Sequence, residues 1–198
     1  MNLDPSKRAS FLKLTADLQD ADPNVRFGAS TRLTMRSEDW GARAVIVGAQ
    51  REPWPLMRVQ AVATLTCMRR RQATLWLVAT AMAASDPTMV WAALCRMRLL
   101  RIRKRAVVDG LLEDPDPLVR YGALEYMVAL GYYTIAAQEA AERLIEEGVY
   151  PFEELKRDKL APKSKEEMIG NLTKWREEIS EHGNAPKPRR SRKKPSRP

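Results

Sequence analysis

Apolar positions in this chain recur at helical spacing, and they do so in four copies. Four segments align: Pro23-Asn-Val-Arg-Phe-Gly-Ala-Ser, Pro55-Leu-Met-Arg-Val-Gln-Ala-Val, Pro87-Thr-Met-Val-Trp-Ala-Ala-Leu and Pro117-Leu-Val-Arg-Tyr-Gly-Ala-Leu. Their prolines lie 32, 32 and 30 residues apart. Six residues after each proline stands an alanine (Ala29, Ala61, Ala93, Ala123), and ten after it Leu33, Leu65, Met97 or Met127. Asp22, Asp86 and Asp116 precede three of the prolines; the second copy has Glu52-Pro53-Trp54 instead. An Asp before a Pro is an N-cap before a first-turn proline, so each copy opens a helix. Apolar residues such as Val25, Ala29 and Leu33 then form one stripe. A unit of about 30 residues holds two short helices, so fixed self-similarity predicts stacked helix pairs. First helices are expected near 23–36, 55–69, 87–101 and 117–130. Second helices are expected near 38–50, 71–84, 103–113 and 132–147. The small alanine row lets neighbouring helices approach closely.

The Asp-Pro-x-x-Val-Arg-x-x-Ala pattern, met best by Asp22–Ala29 and Asp116–Ala123, resembles the HEAT repeat family. It is most similar to the short HEAT-like units of about 30 residues first described in phycobilin lyases. The resemblance covers about residues 20–147 and implies an all-α, right-handed α-solenoid of four helix pairs. The third copy departs, with Val90 in place of the arginine and Trp91 after it.

The ends follow other rules. Residues 1–20 predict an N-terminal capping helix with Phe11, Leu14 and Leu18 as its stripe. The solenoid is expected over 21–148 and a helical extension over 149–182. That extension begins with a short charged helix at 151–160. It continues in a helix whose Ser164 and Glu167 have capping-box spacing and whose stripe is Met168, Leu172, Trp175 and Ile179. Residues 183–198 are Pro-, Ser-, Lys- and Arg-rich with Ala185 as their one apolar side chain, and predict a disordered basic tail.

Charge changes the picture. The chain has 198 residues, 34 basic and 25 acidic, for a net +9. Residues 183–198 hold seven of the basic residues and no acidic one, which leaves the body with 27 against 25. The tail cations are Lys187, Arg189, Arg190, Arg192, Lys193, Lys194 and Arg197. Such runs serve as arms for DNA or RNA or as nuclear localisation signals, and they bind anionic lipid surfaces as well. A solubilising terminus accounts for them too. Within the body, Arg69, Arg70 and Arg71 fall at the turn of the second repeat. Arg101, Arg103, Lys104 and Arg105, with Arg96 and Arg98 before them, surround the equivalent turn of the third. Stacking puts equivalent turns side by side and predicts one basic ridge. Concentrated Arg and Lys attract phosphate backbones; a solvated edge offsetting helix dipoles is the plainer reading, but the surplus over the needs of capping points to a polyanion site. The Arg26, Arg58 and Arg120 row is read as structural, paired with loop carboxylates such as Asp22, Asp86, Asp114 and Asp116.

Aromatic residues are the other candidate contacts. Trp40, Trp76, Trp91 and Trp175 are expected in packing, Trp54 exposed between two prolines, and Tyr132 and Tyr133 either on the ridge or against the C-terminal helix.

Several chemistries are disfavoured. His182 is the only histidine, so no His-dependent triad or multi-histidine metal site is available. No glycine-rich phosphate loop appears, and no cofactor is expected. The longest uncharged apolar stretch, 13 residues at 73–85, is too short to span a bilayer. The N-terminus lacks a signal core, so a cytoplasmic location is expected, or a nuclear one in a eukaryote. Cys67 and Cys95 are expected to be buried free thiols.

The sequence therefore predicts a non-catalytic adaptor: a protein partner on the solenoid, and DNA or RNA on the basic edge and tail. A pure adaptor for an acidic protein is the first alternative. The resemblance also implies two others. Some DNA glycosylases for alkylated bases use this repeat type, with an Asp and aromatic residues on the concave face; here the second-helix positions are largely Ala, Val, Leu and Thr. A phycobilin lyase-like role shares the repeat but finds no chromophore-specific residues.

Overall fold

The computed structural model describes residues 5–83 and 86–183; the tail cations 187–197 lie outside the described residues. Every regular element in them is helical. α1 spans Pro5–Asp17, α2 Pro23–Met35, α3 Asp39–Arg51 and α4 Pro55–Thr64, which a 3-10 turn continues over Leu65–Cys67. α5 spans Arg70–Ala83, α6 Pro87–Leu99, α7 Arg105–Asp109, α8 Pro117–Ala129, α9 Ile135–Glu147 and α10 Lys165–Gly183.

Each repeat proline opens a helix. The Asp22 and Asp116 carboxylates accept from the backbone N–H two residues on, both at 2.8 Å, and Asp86 accepts from Met89 N at 3.0 Å. α4 follows Trp54 and has no side-chain cap. The proline-opened helices pack in chain order, α2 on α4, α4 on α6 and α6 on α8, while α3 lies on α2 and α4, α5 on α6, and α9 on α8. Ala29, Ala93 and Ala123 are buried in these seams and Ala61 half-buried; Leu33, Leu65, Met97 and Met127 are fully enclosed. α8 comes so near α6 that a Cβ on Gly122 would sit 2.9 Å from the Trp91 ring. Val25, expected in the stripe, is exposed, because nothing covers that side of the first turn of α2.

The fourteenth residue after three of the prolines ends its helix in the left-handed region: Ser37 (φ 54°), Arg101 (φ 49°) and Gly131 (φ 73°). Ile102 N to Met97 O (2.9 Å) and Tyr132 N to Met127 O (2.8 Å) close two of these turns in the same way.

Three local expectations are corrected. The second helix of the third repeat is not continuous over 103–113: it is α7 followed by a 3-10 turn at Gly110–Glu113. Paired valines and Gly110 have weak helix propensity, which explains the break. The charged helix at 151–160 is a single 3-10 turn, Glu153–Leu155. Two prolines leave it no room, and its role is to bury Phe152 edge-on to Trp91 (5.6 Å) and Tyr121 (4.9 Å). Cys95 is buried but Cys67 is exposed, since α4 ends before it and turns it outward; both are free thiols.

α10 covers α9 through buried Met168, Leu172 and Ile179, with Trp175 against Tyr121 at 5.1 Å. Ser164 Oγ accepts from Glu167 N at 3.2 Å, whereas the Glu167 carboxylate accepts from Lys163 N, so the capping box is only half formed. α1 presents Leu14 to the core, with Phe11 and Leu18 packed beside it.

Candidate polyanion-binding edge

The turns after α4 and α6 are joined by hydrogen bonds. Arg69 N donates to Ser37 Oγ (3.1 Å), tying the second turn to the first. The Arg70 guanidinium donates to Leu100 O, tying it to the third. The third turn is itself held from inside. The fully buried Tyr126 donates its hydroxyl to Ile102 O (2.5 Å) and accepts from Lys104 N (2.8 Å). Burial pushes this phenol above its ordinary value. With Met68 and Ile102 anchored in the core, the flanking side chains have to point outward.

Arg69, Arg70, Arg71, Arg101, Arg103, Lys104 and Arg105 are all exposed. Arg105 pairs with Asp109 at 3.2 Å. The side chains of Arg69, Arg71, Arg101, Arg103 and Lys104 make no ion pair or hydrogen bond with another described residue. Arg96 and Arg98 do not join them: Arg98 pairs with Glu125 (3.0 Å), and Arg96 faces a separate cavity beside Arg157 and Asp158. At the fourth turn, Tyr133 donates to Glu178 Oε1 (2.7 Å) and packs 5.0 Å from the His182 ring, so it belongs to the contact with α10. Tyr132 is half-buried beside Tyr126.

The arginine row inside the repeats is occupied. Arg26 forks onto Glu52 (2.6 and 2.9 Å) and onto the carbonyls of Asp20 and Ala21. Arg58 meets Asp86 at 3.3 Å and the carbonyl of Glu52. Arg120 meets Glu147 and the carbonyls of Asp114 and Pro115. Each guanidinium fastens the loop before its own helix to a carboxylate further along the chain. Of the expected partners, only Asp86 pairs by its side chain; Asp22 and Asp116 cap helices, and Glu52 and Glu147 take the places assigned to them.

Trp91 is fully buried, Trp40, Trp76 and Trp175 are half-buried, and Trp54 is 66% exposed. A cavity of about 790 Å³ lies between α1 and α3 and includes Trp40 and Trp54 in its wall. Sequence reasoning missed this groove. Its one signal was Trp54 standing where the other copies have a capping Asp. Among the described residues no group of three His, Cys, Asp or Glu side chains is placed to hold a metal ion, and no helix is long and apolar enough to cross a membrane.

Comparison with family models, with curated proteins and with solved structures gives no match.

Proposed function

We propose that this chain is a non-catalytic adaptor, a right-handed α-solenoid of HEAT-like helix pairs capped by α1 and by residues 149–182. Its surface docks a protein partner, and the edge formed by residues 69–71 and 101–105 binds the phosphate backbone of DNA or RNA. The tail cations Lys187, Arg189, Arg190, Arg192, Lys193, Lys194 and Arg197 extend that edge in the proposal.

The observation that carries the reading is the joining of the turns. Hydrogen bonds from Arg69 N and the Arg70 guanidinium bring seven exposed cations of two repeats onto one edge, with a single carboxylate pairing among them. Arginine presents a fork of donors that matches phosphate oxygens. Cations without partners release counterions when they meet a polyanion, so affinity comes from entropy and falls with salt. Phosphate contacts position the chain without reading bases.

Fluorescence anisotropy with labelled single- and double-stranded DNA and RNA, over a salt series, tests this. The forms compared are the full chain, a chain ending at His182, and Arg69→Glu/Arg71→Glu, which leaves the Arg70 bond to Leu100 in place. Affinity should fall steeply with salt, and the ridge variant should lose roughly tenfold or more. Loss on tail removal alone would reduce the solenoid to a carrier of a nonspecific tether. Absence of binding by every form at low salt would sink the nucleic-acid half and favour an acidic protein partner.

A further inference from the structure

We infer that the groove between α1 and α3 is the protein-docking site, and that it takes an acidic amphipathic helix. The inference rests on the protein-docking half of the proposed function and is independent of the nucleic-acid half.

The chain's own repeats supply the argument. Three copies place an aspartate before the helix proline, and each caps its helix. The second places Trp54 there. α4 thereby forgoes the side-chain cap its counterparts have and holds a tryptophan 66% exposed. Pro53 and Pro55 on either side restrict the backbone, so the ring is presented at little entropic cost. A rigid, exposed Trp is the residue type that most often anchors an interface.

The surroundings fit an apolar guest. α1 and α3 both pack on α2 and leave between them a cavity of about 790 Å³. Phe11, Leu18, Trp40 and Val47 line it with Trp54, and Val47 is 45% exposed. A trough between two helices that is walled by apolar side chains matches the footprint of a third helix. The charges select the guest. Of the groove's ionic side chains, Arg26 and Glu52 satisfy each other, and Asp20 accepts from Asp22 N. Arg43 lies over the Trp76 ring at 5.5 Å with no carboxylate partner among the described residues, and Arg51 is exposed and likewise unpaired. Arg43 and Arg51 outnumber the Asp20 carboxylate, so the charge left to a ligand is net positive and the complementary helix carries carboxylates beside its apolar stripe.

The test uses the full chain and a panel of fluorescein-labelled helical peptides with Leu and Phe at i, i+3, i+4 and i+7 and Glu on the flanks. A sister panel has Lys in place of Glu. Glutamate peptides should bind at least about tenfold more tightly than their lysine counterparts. Trp54→Asp restores the missing cap while removing the anchor, so it should weaken binding about tenfold or more without lowering the melting temperature. Val47→Ser should weaken binding from the α3 wall with the α4 start untouched. Arg43→Glu/Arg51→Glu should abolish the preference for glutamate. No binding by any glutamate peptide, equal affinity for the two panels, or parent-like binding by both Trp54→Asp and Val47→Ser would overturn the inference. So would a concentration-dependent dimer that Trp54→Asp dissolves, since the occupant is then a second copy. Peptide binding that persists in the ridge variant separates this result from the nucleic-acid reading; binding lost only there would place the peptide on the ridge and overturn the groove.

Discussion

α2 and α6 are both 13-residue helices opened by Asp-Pro, yet α6 buries nine of its residues and α2 only four. α6 lies between α4 and α8, under α5, with Phe152 of the following extension pressed on Trp91. α2 has α1, α3 and α4 around it but packs less closely on each, and its Val25, Phe27 and Met35 remain exposed. The repeat motif therefore dictates a helix and its cap, while the depth of burial is set by how closely the neighbours press on that helix. The thinly covered end keeps apolar surface and an open groove, as a docking surface would.

The largest expected effect tests the covered side of that contrast. Trp91→Ala should cost about 3–5 kcal/mol, as for a fully enclosed aromatic, whereas Phe27→Ala on the outer face of α2 should stay within about 0.5 kcal/mol. Chemical denaturation measures both, and equal losses would break the comparison. Next comes overpacking. Ala93→Leu and Ala123→Leu should each lose roughly 1–3 kcal/mol, and half-buried Ala61→Leu distinctly less, on the same assay.

Those positions also show what could be read from the chain alone. The proline starts, the alanine row and the residue ten after each proline are local signals, and each copy forms its first helix where they predict. The all-round apolar run Met89–Cys95 marks α6 as a central helix. Burial at the first repeat was not legible, because it depends on how closely neighbours pack rather than on local residues. Val25 was misjudged for that reason, and Cys67 because α4 ends before it. That the turns after α4 and α6 are neighbours was legible from their equivalent positions in the repeat. Tyr126, which holds the turn, and the bond from Arg70 to Leu100 depend on side-chain reach across repeats, and no spacing announces that. The groove needed α1 placed against α3, which no motif fixes.

Smaller effects sharpen the comparison at the turns. Arg101 holds a left-handed conformation that costs a non-glycine residue roughly 1 kcal/mol, while Gly131 takes the equivalent place freely. Arg101→Gly should raise the melting temperature by an amount corresponding to about 1 kcal/mol, and Gly131→Ala should lower it comparably. The smallest effect is visible only as a change with pH. Glu125 is packed between Cys95 and Arg98, and burial raises its carboxyl above the ordinary value despite the neighbouring guanidinium. A carboxyl raised on folding gives its full stabilisation below its unfolded value of about 4.3 and loses it as pH climbs through the folded value. Thermal melts of Glu125→Gln against the parent should therefore shift in favour of the variant between pH 4 and 7. A constant or reversed difference would show that Arg98 outweighs burial at this site.

The central claim is that two repeat turns form one phosphate-binding surface, and a salt slope tests it most directly. The parent and Arg69→Ser/Arg71→Ser/Arg101→Ser/Arg103→Ser, both as full chains, would be titrated onto duplex DNA at several salt concentrations. Arg70 stays because its bond to Leu100 holds the edge together. If all four arginines meet phosphates, the log–log slope of the variant should be shallower by roughly 3 to 4. An unchanged slope with unchanged affinity would contradict the account and leave the edge as a solvated rim.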